Sequence, residues 1–125
     1  MKKLFLLLII GFFIPTVGVS QTIDIQASPN VLNLQNKATV VTIHANIDFE
    51  LVIGSSVTLN GLVIKSWKAD DCGDFVAKFN MDDVKGLEGL LIGDYNTLTL
   101  TGLTAKGETF TGSTQIMVIN IIPKK

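Results

Sequence analysis

Alternation of apolar and polar residues is strongest between Tyr95 and Ile122. Thr97-Leu98-Thr99-Leu100-Thr101 keeps a strict period of two, which puts successive side chains on opposite faces of a strand. Ala105-Lys106-Gly107 reads as a turn and Thr109-Phe110-Thr111 resumes the alternation. Gly112 breaks it ahead of a β-branched and apolar run from Thr114 to Ile122. Two such runs joined by a short Gly-containing loop predict a β-hairpin. Its register places Leu98 and Leu100 toward a core and Thr97, Thr99 and Thr101 toward water. As the longest patterned element, it is the one on which the other strands are expected to pack.

Upstream, Thr22 to Gln26 alternates and closes at Ser28-Pro29-Asn30, and Val31 to Leu34 alternates up to a turn at Asn36-Lys37. Within Ala38 to Ala45, Val41, Ile43 and Ala45 share one face, and Val40, Thr42 and His44 share the other. Ile47 to Ser56 is irregular, with a short strand at Leu51-Val52-Ile53. Asn60-Gly61 between the apolar runs Val57 to Leu59 and Leu62 to Ile64 is a strong hairpin signal. Trp67 to Asp74 reads as an acidic loop before a strand at Phe75 to Phe79. One segment departs from the pattern: Met81 to Leu91 predicts a short helix. Asn80 is its N-cap, Asp82 and Asp83 stand in the first turn, and Val84, Leu87 and Leu91 form an inward stripe. Gly86 and Gly89 each weaken that helix by about 1 kcal/mol relative to Ala. Many short strands with turns between them, and one small helix, predict an all-β antiparallel sandwich.

The order of these segments resembles a known family. Ile23-Asp24-Ile25, Leu32-Asn33-Leu34 and Leu59-Asn60-Gly61 are followed by Phe75 to Phe79 and the short helix. Then come Leu98-Thr99-Leu100-Thr101-Gly102, Gly107 to Ser113 and Ile116 to Ile119. Together they resemble an immunoglobulin-like module common in secreted, often multidomain, bacterial and archaeal proteins. The resemblance spans nearly all of the chain after residue 20 and implies an immunoglobulin-like β-sandwich acting as an extracellular, non-catalytic module. Many members carry an Asp-Gly-Asp-Gly-type loop before the strand that matches Phe75 to Phe79. The loop here, Asp70-Asp71-Cys72-Gly73-Asp74, is shorter and holds Cys in its middle.

The N-terminus changes the picture of where the protein works. Lys2 and Lys3 precede an apolar run from Leu4 to Ile14, Pro15 ends it, and Gly18-Val19-Ser20 supplies small residues before a cut. That is the anatomy of a secretory signal peptide over residues 1–20, too short to span a bilayer comfortably; an uncleaved N-terminal anchor is the alternative. Removing 20 of 125 residues leaves 105, the size of one domain over residues 21–125. The expected location is secreted or periplasmic, with no membrane span after processing. Those 105 residues hold eight Lys, no Arg and eleven Asp plus Glu, a net charge of about −3. A nucleic-acid partner is excluded on that ground, since phosphate-binding surfaces are basic and rich in guanidinium groups. Cys72 is the sole cysteine, so no internal disulfide forms and burial alone must stabilise the domain.

Candidate chemistry is sparse. Asp70, Asp71 and Asp74 are the candidate metal ligands, since calcium takes several oxygens from one flexible loop. Their spacing lacks the alternating triplet of an EF-hand, so the choice lies between a solvated turn and weak calcium binding. Trp67, Tyr95 and Phe49 could form an aromatic platform for a sugar ring, against the commoner role of core residues. His44 has no Cys or second His at ligand spacing. No nucleophile elbow, paired-carboxylate arrangement or Gly-rich phosphate loop is present, so neither catalytic residues nor a cofactor is expected. The expected function is a binding or structural module for a protein or glycan ligand, monomeric or weakly self-associating. Two rivals stay open. One is a small periplasmic enzyme or enzyme inhibitor using a concave site around His44 or the acidic loop. The other is a self-assembling or adhesive subunit pairing through a strand edge.

Overall fold

A computed structural model describes residues 20–122. The leader expected over residues 1–20 lies outside them except for Ser20, the first residue of a strand. Ten strands are divided between two sheets: β1 (Ser20–Thr22), β2 (Ile25–Ser28), β3 (Val31–Asn33), β4 (Val40–Asp48), β5 (Val52–Leu59), β6 (Leu62–Val63), β7 (Ser66–Ala69), β8 (Asp74–Asn80), β9 (Asp94–Thr104) and β10 (Thr109–Ile119). One sheet runs β1-β10-β9-β5-β6, with β3 also on β10, and the other runs β2-β4-β8-β7. Four strands in one layer and a three-strand centre with edge additions in the other is the immunoglobulin-like order. Among the described residues no helix is long and apolar enough to cross a membrane.

The core lies between the inner faces. From β9 and β10 come Leu98, Leu100, Phe110, Ile116 and Val118, and from β4 and β8 come Val41, Ile43, Phe75, Ala77 and Phe79. Each fully buried Phe or Leu among them contributes about 1.5–3 kcal/mol. Leu98 and Leu100 are fully buried, while Thr97 and Thr101 are exposed and Thr99 is half-buried, so the face assignment of this strand holds. The β5–β6 turn falls at Asn60-Gly61, both with positive φ (47° and 83°), the backbone that an Asn-Gly hairpin favours.

Three expectations are corrected. The helix α1 covers only Met81–Lys85, because Gly86 is its C-cap. Leu91 is consequently 56% exposed rather than part of an inward stripe, although Val84 is buried and Leu87 packs on the core. Asn80 stands at the N-cap but makes no side-chain capping hydrogen bond. Secondly, the acidic loop is shorter than Trp67 to Asp74, since Ser66–Ala69 is strand β7 on the sheet edge. Its four residues are all exposed and include a Lys, a composition that suits an edge and gives no alternation to read. Thirdly, Gly112 does not break the second run, because β10 is continuous from Thr109 to Ile119. A Cβ there would lie 2.8 Å from the Ile23 carbonyl oxygen, so Gly112 is the gap through which the N-terminal segment crosses from β1 to β2.

That crossing gives the N-terminal segment two sheets to hold. β1 runs parallel to β10 over Thr109 to Thr111, β2 is antiparallel to β4, and β3 returns to run parallel to β10 over Met117 to Ile119. The Ile23 amide donates to Thr111 O and the Met117 amide to Asn30 O, which fastens both crossings.

Candidate functional site

The loop between β7 and β8 is built on Asp70. Its Oδ1 accepts from the amides of Cys72 (2.8 Å) and Asp74 (2.9 Å), and its own amide donates to Asp74 O at 2.9 Å. Gly73 closes the turn at φ 84°. One oxygen of the first candidate ligand is therefore engaged in holding the loop. Asp71 is exposed on the turn, and Asp74 opens β8 directly across from Asp48 of β4. Two carboxylates at a cross-strand pair repel. Cys72 is free and exposed.

The bulge in β4 decides what gathers beside this loop. Pairing with β8 is regular up to His44↔Val76 and resumes, shifted, at Asp48↔Asp74. Bulges re-aim side chains and often border functional sites. Gln26 of β2 pairs with His44, and Asp24 precedes that strand. The result is a concavity of about 330 Å³ lined by Asp24, Gln26, His44, Asn46, Asp70 and Asp74. His44 is exposed at its wall. Asp70 and Asp74 are thus brought together and Asp71 is left out. Among the described residues, no group of three or more His, Cys, Asp and Glu is arranged to hold a metal ion. Asp24 was not singled out in the sequence. Only the β2–β4 register, which no local pattern encodes, brings it to the same concavity.

The three aromatic residues occupy separate environments. Phe49, in the turn that follows β4, stacks on Phe75 with ring centroids 6.2 Å apart. Trp67 lies against Gly54 of the opposite sheet, where a Cβ would overlap the indole ring, so it closes one side of the sandwich. Tyr95 is 58% exposed at the start of β9, beside Asn60 and the 87–91 segment. They do not form one platform.

No protein-family model and no curated protein sequence matches the chain. Among solved structures, the chain is similar to a bacterial immunoglobulin-like domain from the M. primoryensis ice-binding adhesin. The TM-score is 0.45 and the identity 23%, over 81% of this chain and 99% of that one. The strand order of the two sheets, rather than this likeness, defines the immunoglobulin-like arrangement.

Proposed function

We propose that the chain is a secreted, non-catalytic immunoglobulin-like module that acts by binding a protein or glycan, or as a structural unit. The observation that carries this reading is how polarity is distributed. Thr104 is the only buried polar residue among those described, and every other buried side chain is apolar. Polar chemistry is left on loops and open faces, where a rigid sandwich presents recognition surfaces. The apolar leader supports export. In this reading any calcium at Asp70, Asp71 and Asp74 is held no tighter than about millimolar, the weak end for extracellular sites. Intact mass of the exported protein tests the address: it should begin at Gln21, and retention of residues 1–20 rejects secretion by cleavage.

The concavity at His44 favours a second reading, a small periplasmic enzyme or enzyme inhibitor. Its carboxylates and its imidazole are the groups that such a site would use. An activity or inhibition lost in both His44→Ala and Asp24→Asn, with the fold intact, would replace the module reading by this one.

A further inference from the structure

Apart from Asp94 at the start of β9, none of the six strands around β10 carries a charged residue. The pairing registers place whole rows on the outer face. Val63, Thr58, Thr101 and Thr111 form one row, and Ile53, Leu103 and Thr109 a second. Thr99 with Ser113, Thr97 with Gln115, and Tyr95 with Met117 and Val31 complete it. Water-facing sheet surfaces are ordinarily studded with charges, whereas interface cores are depleted of them.

We infer that this outer face is the surface through which two copies of the chain pack against each other, sheet on sheet. The inference rests on the module reading and names its partner. Four central hydroxyls already have partners: Thr58 Oγ1 lies 3.0 Å from Thr101 Oγ1, and Thr99 Oγ1 lies 3.0 Å from Ser113 Oγ. Drying the face therefore leaves those four oxygens in hydrogen bonds, which lowers the cost of burying this polar surface. Apolar side chains flank this centre, with Val63, Ile53 and Leu103 at one end and Val31, Met117 and Tyr95 at the other.

The area lies toward the lower end of what a specific interface takes from each partner. Strands up to 11 residues long, rising about 3.4 Å per residue and spaced about 4.8 Å apart, give a face on the order of 700 Å². A standard interface takes about 800 Å² from each partner. The second copy is favoured over a sugar by self-complementarity. A neutral face meets itself about a two-fold axis without like-charge repulsion, while sugar stacking would have Tyr95 alone as its aromatic.

The full chain, exported with its own leader, is examined by sedimentation velocity from about 1 to 100 μM, the range of weak to moderate interfaces. A reversible dimer is expected. Thr99→Lys and Gln115→Lys should each weaken it by about tenfold or more, because the two-fold brings like charges together. Ser66→Lys, on the opposite sheet, should leave it unchanged. Circular dichroism melts identify any variant that is unfolded, and Gln115, being exposed, serves if Thr99→Lys does not fold. A monomer at every concentration overturns the proposal, as does a dimer indifferent to both lysines or lost in Ser66→Lys. A monomer that binds an immobilised glycan only with Thr99 intact also overturns it, giving the face to carbohydrate. None of these failures touches the module reading, which is tested separately by the intact mass of the exported protein and by an activity mapped to His44 and Asp24.

Discussion

On β9, Thr97, Thr99 and Thr101 look outward with no charge beside them. On the other sheet the outward positions of β4, β7 and β8 hold His44, Asp48, Lys68, Asp74 and Lys78. The inner faces of the same strands are nearly interchangeable, Leu and Val facing Phe, Ile and Ala. Burial dictates the inner residues, because any apolar side chain of about the right volume fills a core. The outer faces are free of that constraint, so their difference says more about what each surface meets. One sheet turns charges toward solvent, and the other an uncharged face.

The largest effect separates inside from outside on a single strand. Leu100→Ala should cost about 2–5 kcal/mol, from lost transfer energy plus a cavity. A urea midpoint lowered at constant slope is the readout. Set against a total stability of roughly 5–15 kcal/mol, that leaves a variant that barely folds. On the charged side, Asp70→Ala should cost about 1–2 kcal/mol, because two amides of the β7–β8 loop lose their acceptor. Asp70→Asn should lose less, since its amide oxygen still accepts while its charge no longer repels Asp74. Equal losses in the two variants would mean that the negative charge, rather than the loop geometry, is what matters.

Thr99→Ala should cost about 1 kcal/mol or less, through cross-strand contacts and the Ser113 hydroxyl. A larger loss at high protein concentration than at low would sharpen the contrast between the faces, because dissociation would then add to unfolding. The smallest effect concerns calcium. At about 0.1 mM no rise in melting temperature is expected, since a site near millimolar is barely occupied. A rise of several degrees that disappears in Asp74→Ala would turn the charged face into a metal site.

What could be read in the sequence was what is local. The period-two runs gave β9 and β10 their faces, Asn60-Gly61 gave its turn, and Val41, Ile43 and Ala45 fell on one side of β4. The helix was overextended because Val84, Leu87 and Leu91 keep helical spacing after Gly86 has already ended the helix. β7 was hidden because an exposed edge strand needs no alternation. Gly112 read as an interruption because its reason, the Ile23 carbonyl, lies nearly ninety residues away. The concavity was legible only in part. His44 and the acidic loop were both candidates, but their meeting with Asp24 depends on a register and a bulge that no single segment records.

The two parallel pairings of β10 bear on how the fold would respond to tension. The chain enters beside Thr109 and leaves beyond Ile119, roughly 35 Å farther along the same strand at about 3.3 Å per residue. A pull on the two ends would drag β1 and β10 past each other in opposite directions. The β1–β10 hydrogen bonds, with that of the Ile23 amide to Thr111 O at their end, lie across that load, so they would have to shear together rather than unzip in turn. A chain stretched between two attachments would meet its stiffest resistance along this line.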